Sequence, residues 1–349
     1  MTSYKTCALA LTTIASLSMA QSVAAQKYFE VFSEADAVNG TVTSPFIDAA
    51  VVAPDGTVYS TFRGGGSADV GSVTAFDGSG FSTVMTNAQY SVIGSTNDYA
   101  TGNGLALVGD VLRGVSFFDN VVYEVNVNTG VITEVIPTTS FNAAVSAVSN
   151  LGSQYETAPD GTIYVYEQTS NQLLSVSPTN VISIEIDAAT LTSDISDEVN
   201  QITGIGVNGT TLYIGSGEDT IIEWDTVTNT ATELLSLNDI EDLTDDDDEN
   251  LFFGDIFFAP DGLVYFYEGD SDYLMSFDPT NAANTVAVVL TEQELLDGPG
   301  TDLLGQLAWY EGNIAWTDQG DGFYAIPEPA TAALLAIGGG LIAARRRRA

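Results

Sequence analysis

Ala53-Pro54-Asp55-Gly56-Thr57-Val58-Tyr59 recurs as Ala158-Pro159-Asp160-Gly161-Thr162-Ile163-Tyr164 and again as Ala259-Pro260-Asp261-Gly262-Leu263-Val264-Tyr265. Each copy reads as a tight turn: proline fixes φ at one corner, and glycine takes the positive φ that a side chain resists. A short alternating run follows each turn and reads as a strand. Weaker versions stand between them, at Val108–Gly114 (VGDVLRG), Val207–Tyr213 (VNGTTLY) and Tyr310–Trp316 (YEGNIAW). The turn glycines are Gly56, Gly109, Gly161, Gly209, Gly262 and Gly312, separated by 53, 52, 48, 53 and 50 residues. Six units of about fifty residues, each too small to bury an apolar face alone, imply an array closed on itself.

The interior of each unit supports four strands. In the first they run over Phe46–Ala53, Thr57–Phe62, Val73–Phe76 and Ser82–Met85, and in the second over Leu105–Val108, Val111–Val115, Val121–Val127 and Val131–Ile136. The last hairpins of the third, fourth and fifth units (SPTN, DTVTN, DPTNAAN) keep the same phase. The sixth unit, Leu307–Ile326, has room for three strands. The alternating segment Lys27–Ser33 (KYFEVFS) at the other end of the mature chain supplies the fourth and removes the exposed edge. The expected fold is therefore all-β, a six-bladed β-propeller over residues 26–326 closed by its N-terminal strand; seven blades or a β-sandwich are the alternatives. On spacing and turns the body resembles NHL, YWTD and gluconolactonase-type propellers.

Composition narrows the chemistry. The chain has no histidine, and its one cysteine is Cys7. Histidine- or cysteine-based nucleophiles, thiolate or imidazole zinc sites and a disulfide are thereby excluded. Any side-chain metal site would be oxygen-ligated and suited to calcium. Of 47 acids only Glu328 lies outside residues 26–326, where the bases are Lys27, Arg63 and Arg113. A body this negative repels phosphate backbones, so nucleic acid is excluded as a partner while cations, and polymers bridged by cations, remain.

The two ends carry targeting signals. Residues 1–25 read as a signal peptide, with Lys5 ahead of an apolar Cys7–Leu17 stretch and Val23-Ala24-Ala25 before the cut. At residues 327–349, Pro327-Glu328-Pro329 precedes an apolar run from Thr331 to Ala344 and then Arg345, Arg346, Arg347 and Arg348. This end resembles the PEP-CTERM sorting signal of Gram-negative bacteria. Fourteen apolar residues are short for a span of about 20, but the arginines can snorkel and hold their end on the cytoplasmic side. The resemblance implies an exosortase-type membrane protease as partner, processing near Pro327–Pro329, and delivery to the cell surface or an exopolysaccharide matrix. An uncut membrane anchor is the alternative.

Long blade-to-blade connectors are expected on one face of the ring, together with acids from every unit. Asp255, Glu268, Asp270, Asp272, Asp318 and Asp321 are the candidate calcium ligands there, beside the run Asp239–Glu249 (DIEDLTDDDDE). A solvated, mobile charge run is the plain alternative. The resemblance to gluconolactonases implies one divalent ion over the channel, with Asp48, Asn103, Glu156 and Asp255 as the positions near the inner-strand mouth. No family motif places them. The repeated Tyr59, Tyr164, Tyr213 and Tyr265, with Trp224, Trp309 and Trp316, read as packing between blades in preference to a sugar platform. The expected role is an exported binding or scaffold protein, cation-assisted and without catalytic residues. A metal-dependent lactonase or hydrolase, and a structural adhesin-like protein, are the alternatives.

Overall fold

Six turn glycines with positive φ mark the corners of the ring: Gly56, Gly161 and Gly262 at 89°, 89° and 90°, and Gly109, Gly209 and Gly312 at 60°, 61° and 87°. The computed structural model describes residues 28–33, 35–37, 46–63, 71–93, 105–116, 120–145, 151–195, 202–216, 220–244, 253–269, 273–296, 304–318 and 322–327. The expected signal peptide and the segment from residue 328 onward lie outside the described residues. No helix among the described residues is long and apolar enough to cross a membrane.

Around the corners stand six four-stranded antiparallel sheets, which are the blades. Their inner strands are Phe46–Val52, Leu105–Val108, Leu151–Thr157, Ile202–Asn208, Phe253–Phe258 and Leu304–Tyr310. In blade 6 the outermost strand is Phe29–Ser33, paired antiparallel to Gly322–Ala325 with Phe29 opposite Ala325 and Ser33 opposite Gly322. The N-terminal segment thus closes the ring as its alternation requires. The close approach is possible because Gly322 lacks a Cβ, which would lie 2.4 Å from the Phe32 carbonyl oxygen.

The three Pro-Asp-Gly turns are superimposable in their bonding. The N–H of Ala53, Ala158 and Ala259 donates to the carbonyl of Thr57, Thr162 and Leu263, while the turn aspartate accepts the N–H two residues on. The aspartate thereby rigidifies each corner as an Asx turn.

Each outer strand runs into a short helix, which the strand pattern had not suggested. Thr86 and Gln89 form a reciprocal capping box, and Ser33 with Asp36 and Thr291 with Glu294 bond in the same reciprocal way. Asp187 caps through Thr190 N–H, and Asp239 accepts from Ser236 N–H. Four residues after each cap comes a buried apolar side chain: Ala37, Tyr90, Phe141, Leu191, Ile240 and Leu295, none more than 3 % exposed. The signal was in the sequence as a repeated Ser/Thr/Asp with a polar partner three residues later. Its recurrence after Ser33 places the N-terminal strand in phase with the other five outer strands.

Neighbouring blades clasp one another at the position of the repeated tyrosine. Tyr164 of blade 3 lies beside Thr226 in the last hairpin of blade 4. Blade 2 has Arg113 at that position instead, 3 % exposed. Its guanidinium donates to the Gly161 carbonyl (2.6 Å) and to Asn180 Oδ1 (2.7 Å) of blade 3. Its Nε lies 3.0 Å from Glu124, an ion pair without the alignment of a hydrogen bond. Trp224 and Trp316 are buried within the blades, so packing accounts for them.

Candidate functional site

Five inner strands slip register against their second strand near the entry to the channel, between Ile47 and Ala49, Leu151 and Tyr155, Ile202 and Gly204, Phe253 and Ile256, and Leu304 and Leu307. A bulge leaves residues unpaired and turns their side chains away from the sheet. Asp255 of blade 5 and Gln306 of blade 6 both sit in these slips, at equivalent positions of their repeats.

Toward the opposite end of the channel, where the Pro-Asp-Gly turns lie, the inner strands line an open cavity of about 240 Å³. Its wall is mixed, with Phe257 and Trp309 among the larger apolar side chains and Glu156, Thr157 and Gln306 among the polar ones. On the inner strand of blade 4, Gly204 and Gly206 let the blade 5 strand come close: a Cβ on Gly206 would stand 3.0 Å from the Ile256 carbonyl oxygen.

Glu156 is reached from the channel but surrounded by protein. Burial raises its carboxyl to about 7, opposed by one hydrogen bond from the Thr157 N–H to Oε1 (2.9 Å). Asp255 is raised well above the ordinary carboxylate range by burial and by the charge of Glu156. No basic side chain among the described residues lines the cavity. The pair therefore shares a proton at neutral pH. Asp255 accepts Ile256 N–H at Oδ1 (2.9 Å) and Leu307 N–H at Oδ2 (2.7 Å), which favours its charged form and ties blade 5 to blade 6. Burial and the charge of Glu156 act the other way on Asp255, so the proton belongs to the pair and to neither carboxyl alone.

Three acceptors at the cavity have no protein partner among the described residues: Glu156 Oε2, Gln306 Oε1 and Thr157 Oγ1. Gln306 is 6 % exposed. Buried acceptors of this kind are ordinarily satisfied by water or a ligand.

The other expected ligands are spread differently. Glu268 and Asp318 are buried at the ends of the second strands in blades 5 and 6, remote in the topology from the cavity end. Glu167 holds the equivalent place in blade 3, where it accepts from Thr169 N–H, Ser170 N–H and the Ser170 hydroxyl and so braces its own turn. Asp270, Asp272, Asp321 and Asn103, the side chain of Asp48 and the run from Asp245 to Glu249 lie outside the described residues. Among the described residues no group of three or more Asp or Glu is placed to hold a metal. The donors implied by the gluconolactonase resemblance do not make a divalent-ion site with the residues described: both oxygens of Asp255 are committed to backbone N–H groups, leaving one carboxylate oxygen of Glu156.

Sequence reading had brought Glu156 and Asp255 forward among four positions. It had not found Gln306, Thr157 or Phe257, and had taken Trp309 as packing. Superposing the repeats would have paired Gln306 with Asp255, but which residues share a channel level depends on the bulges.

The PEP-CTERM protein-sorting motif matches residues 325–348. No curated protein matches the chain significantly. Among solved structures, a gluconolactonase-type protein aligns at 12 % identity and TM-score 0.55, covering 86 % of this chain and 92 % of its own. Virginiamycin B lyase from Staphylococcus aureus aligns at 12 % identity and TM-score 0.51, covering 79 % of this chain and 78 % of the lyase. A catalytically inactive histidine-to-alanine variant of that lyase, with quinupristin, aligns equally well. At such identities the likeness is one of fold.

Proposed function

From a six-bladed propeller whose chain ends in a PEP-CTERM sorting motif, we propose an exported binding or scaffold protein of the cell envelope or exopolysaccharide matrix, handed to the surface by an exosortase-type membrane protease. The channel cavity around Glu156 is its ligand seat. The observation that carries this reading is a pair of half-buried carboxylates, beside buried unpartnered acceptors, with no basic residue among the described residues lining their cavity. Fold stability alone does not call for such an arrangement, because each uncompensated buried polar group weakens the fold. The acids expected on the connector face, Asp270, Asp272 and Asp321, are proposed separately as contacts for calcium that bridges an anionic exopolysaccharide, whereas Glu268 and Asp318 are too buried to reach it. Melting curves with calcium and with chelator test that second site: calcium raises the melting temperature by several degrees, and coincident curves would remove the rim from the proposal while leaving the channel.

A second reading, a lactonase-type hydrolase, is favoured by one observation: a channel carboxyl poised near neutrality suits general acid–base work. Turnover of a lactone panel, abolished by Glu156→Gln, would promote it. The described donors do not support metal dependence in the channel. Chemistry of the lyase type, which fails in that enzyme when one histidine becomes alanine, finds no counterpart in a chain without histidine.

A further inference from the structure

The channel site invites the question of which cation it suits, and the inference below rests on the channel-binding reading. A calcium ion takes six to eight oxygen ligands and magnesium a near-regular octahedron. Most residues lining the cavity are alanine, valine, leucine, proline or aromatic, and the Asp255 oxygens already accept from backbone N–H groups. What it offers is the second carboxylate oxygen of Glu156, two further unpartnered acceptors buried in the wall, Gln306 Oε1 and Thr157 Oγ1, and apolar side chains around them. A primary ammonium has one charge and three N–H donors.

We propose that the channel cavity binds a small molecule bearing a primary ammonium, which pairs with Glu156 Oε2 beside Gln306 while its carbon framework packs against Phe257 and Trp309. The carboxylate neutralises the charge, and the aromatic faces favour a desolvated cation and the apolar face of a ring alike. At about 30 Å³ per water-sized unit, a cavity of about 240 Å³ admits a ligand of the size of one amino sugar or a benzylamine. Asp255, fixed between blades 5 and 6, acts as a positioning residue that keeps the site electronegative.

The test is calorimetric titration of the purified protein with glucosamine and with benzylamine, set against glucose, N-acetylglucosamine, benzyl alcohol, calcium and magnesium. The expected result is binding of at least one amine and of none of its neutral counterparts, weakened about tenfold or more in Glu156→Gln and several-fold in Gln306→Leu. Circular dichroism of both variants confirms that the loss is not one of folding. Calcium or magnesium binding that Glu156→Gln abolishes, with neither amine bound, would overturn the ammonium assignment and leave the channel as a ligand seat. Binding of a neutral counterpart as tightly as its amine would also overturn it. Absence of any Glu156-dependent binding would overturn both the assignment and the channel reading.

Discussion

Replacing Glu156 by glutamine should stabilise this protein, and by an amount that pH controls. The carboxyl titrates near 4.5 in an unfolded chain and near 7 in the folded one. At about 1.4 kcal/mol per tenfold change in proton affinity, that difference costs the fold about 3 kcal/mol once both states are ionised. Below pH 4 folded and unfolded chains both hold the proton, and the penalty vanishes. Between the two values the folded state keeps a proton that the unfolded state has released, so stability falls as pH rises; above 7 the full penalty is present. Glutamine has the same shape, retains an oxygen for the Thr157 N–H, and carries no charge at any pH. Removing Glu156 also relieves Asp255, whose titration its charge helps to raise, which acts in the same direction. With an unfolding entropy of about 2.1 cal/mol/K per residue over roughly 300 residues, 3 kcal/mol corresponds to about 5 °C. Thermal melts of wild type and Glu156→Gln, in amine-free buffer with chelator from pH 4 to 8.5, should therefore coincide at the acid end and separate by about 5 °C at the alkaline end, with the variant higher. A separation independent of pH, or a variant less stable at pH 8, would refute the account of Glu156 as a desolvated, unpaired carboxyl.

Three further outcomes follow from the blades. Gly322→Val places side-chain atoms against the Phe32 carbonyl and should cost about 1–3 kcal/mol by overpacking, with hydrogen exchange in Phe29–Ser33 accelerated ahead of the other outer strands. Arg113→Ala leaves Asn180 Oδ1 and the Gly161 carbonyl without their donor and should cost about 1.5–3 kcal/mol in denaturant unfolding, whereas Arg113→Tyr, which installs the residue found at this position in blades 1, 3, 4 and 5, should recover part of that loss. Ser236→Ala removes a cap contact to Asp239 and should lower stability by about 1 kcal/mol; no change would show that Ile240 alone holds that helix.

The sequence by itself determined the repeat, the strand phase and the closure, because these rest on local rules. Pro-Asp-Gly can make few backbone paths, alternation sets which face of a strand is buried, and a three-strand remainder with a stray strand at the other terminus has one economical pairing. The C-terminal sorting motif was legible for the same reason, being a linear signal read without a fold. The capping residues after each outer strand were also there to be read, at Thr86, Asp187, Ser236 and Thr291, but they are masked by the stronger turn and strand pattern. Tertiary structure decided the site. In a chain with 47 acids, Glu156 and Asp255 become distinctive once strands about a hundred residues apart in sequence meet across one channel. There, bulges turn Asp255 and Gln306 from the sheet, two glycines in blade 4 draw the walls together, and desolvation gives one carboxyl among many an affinity for protons that solution would deny it.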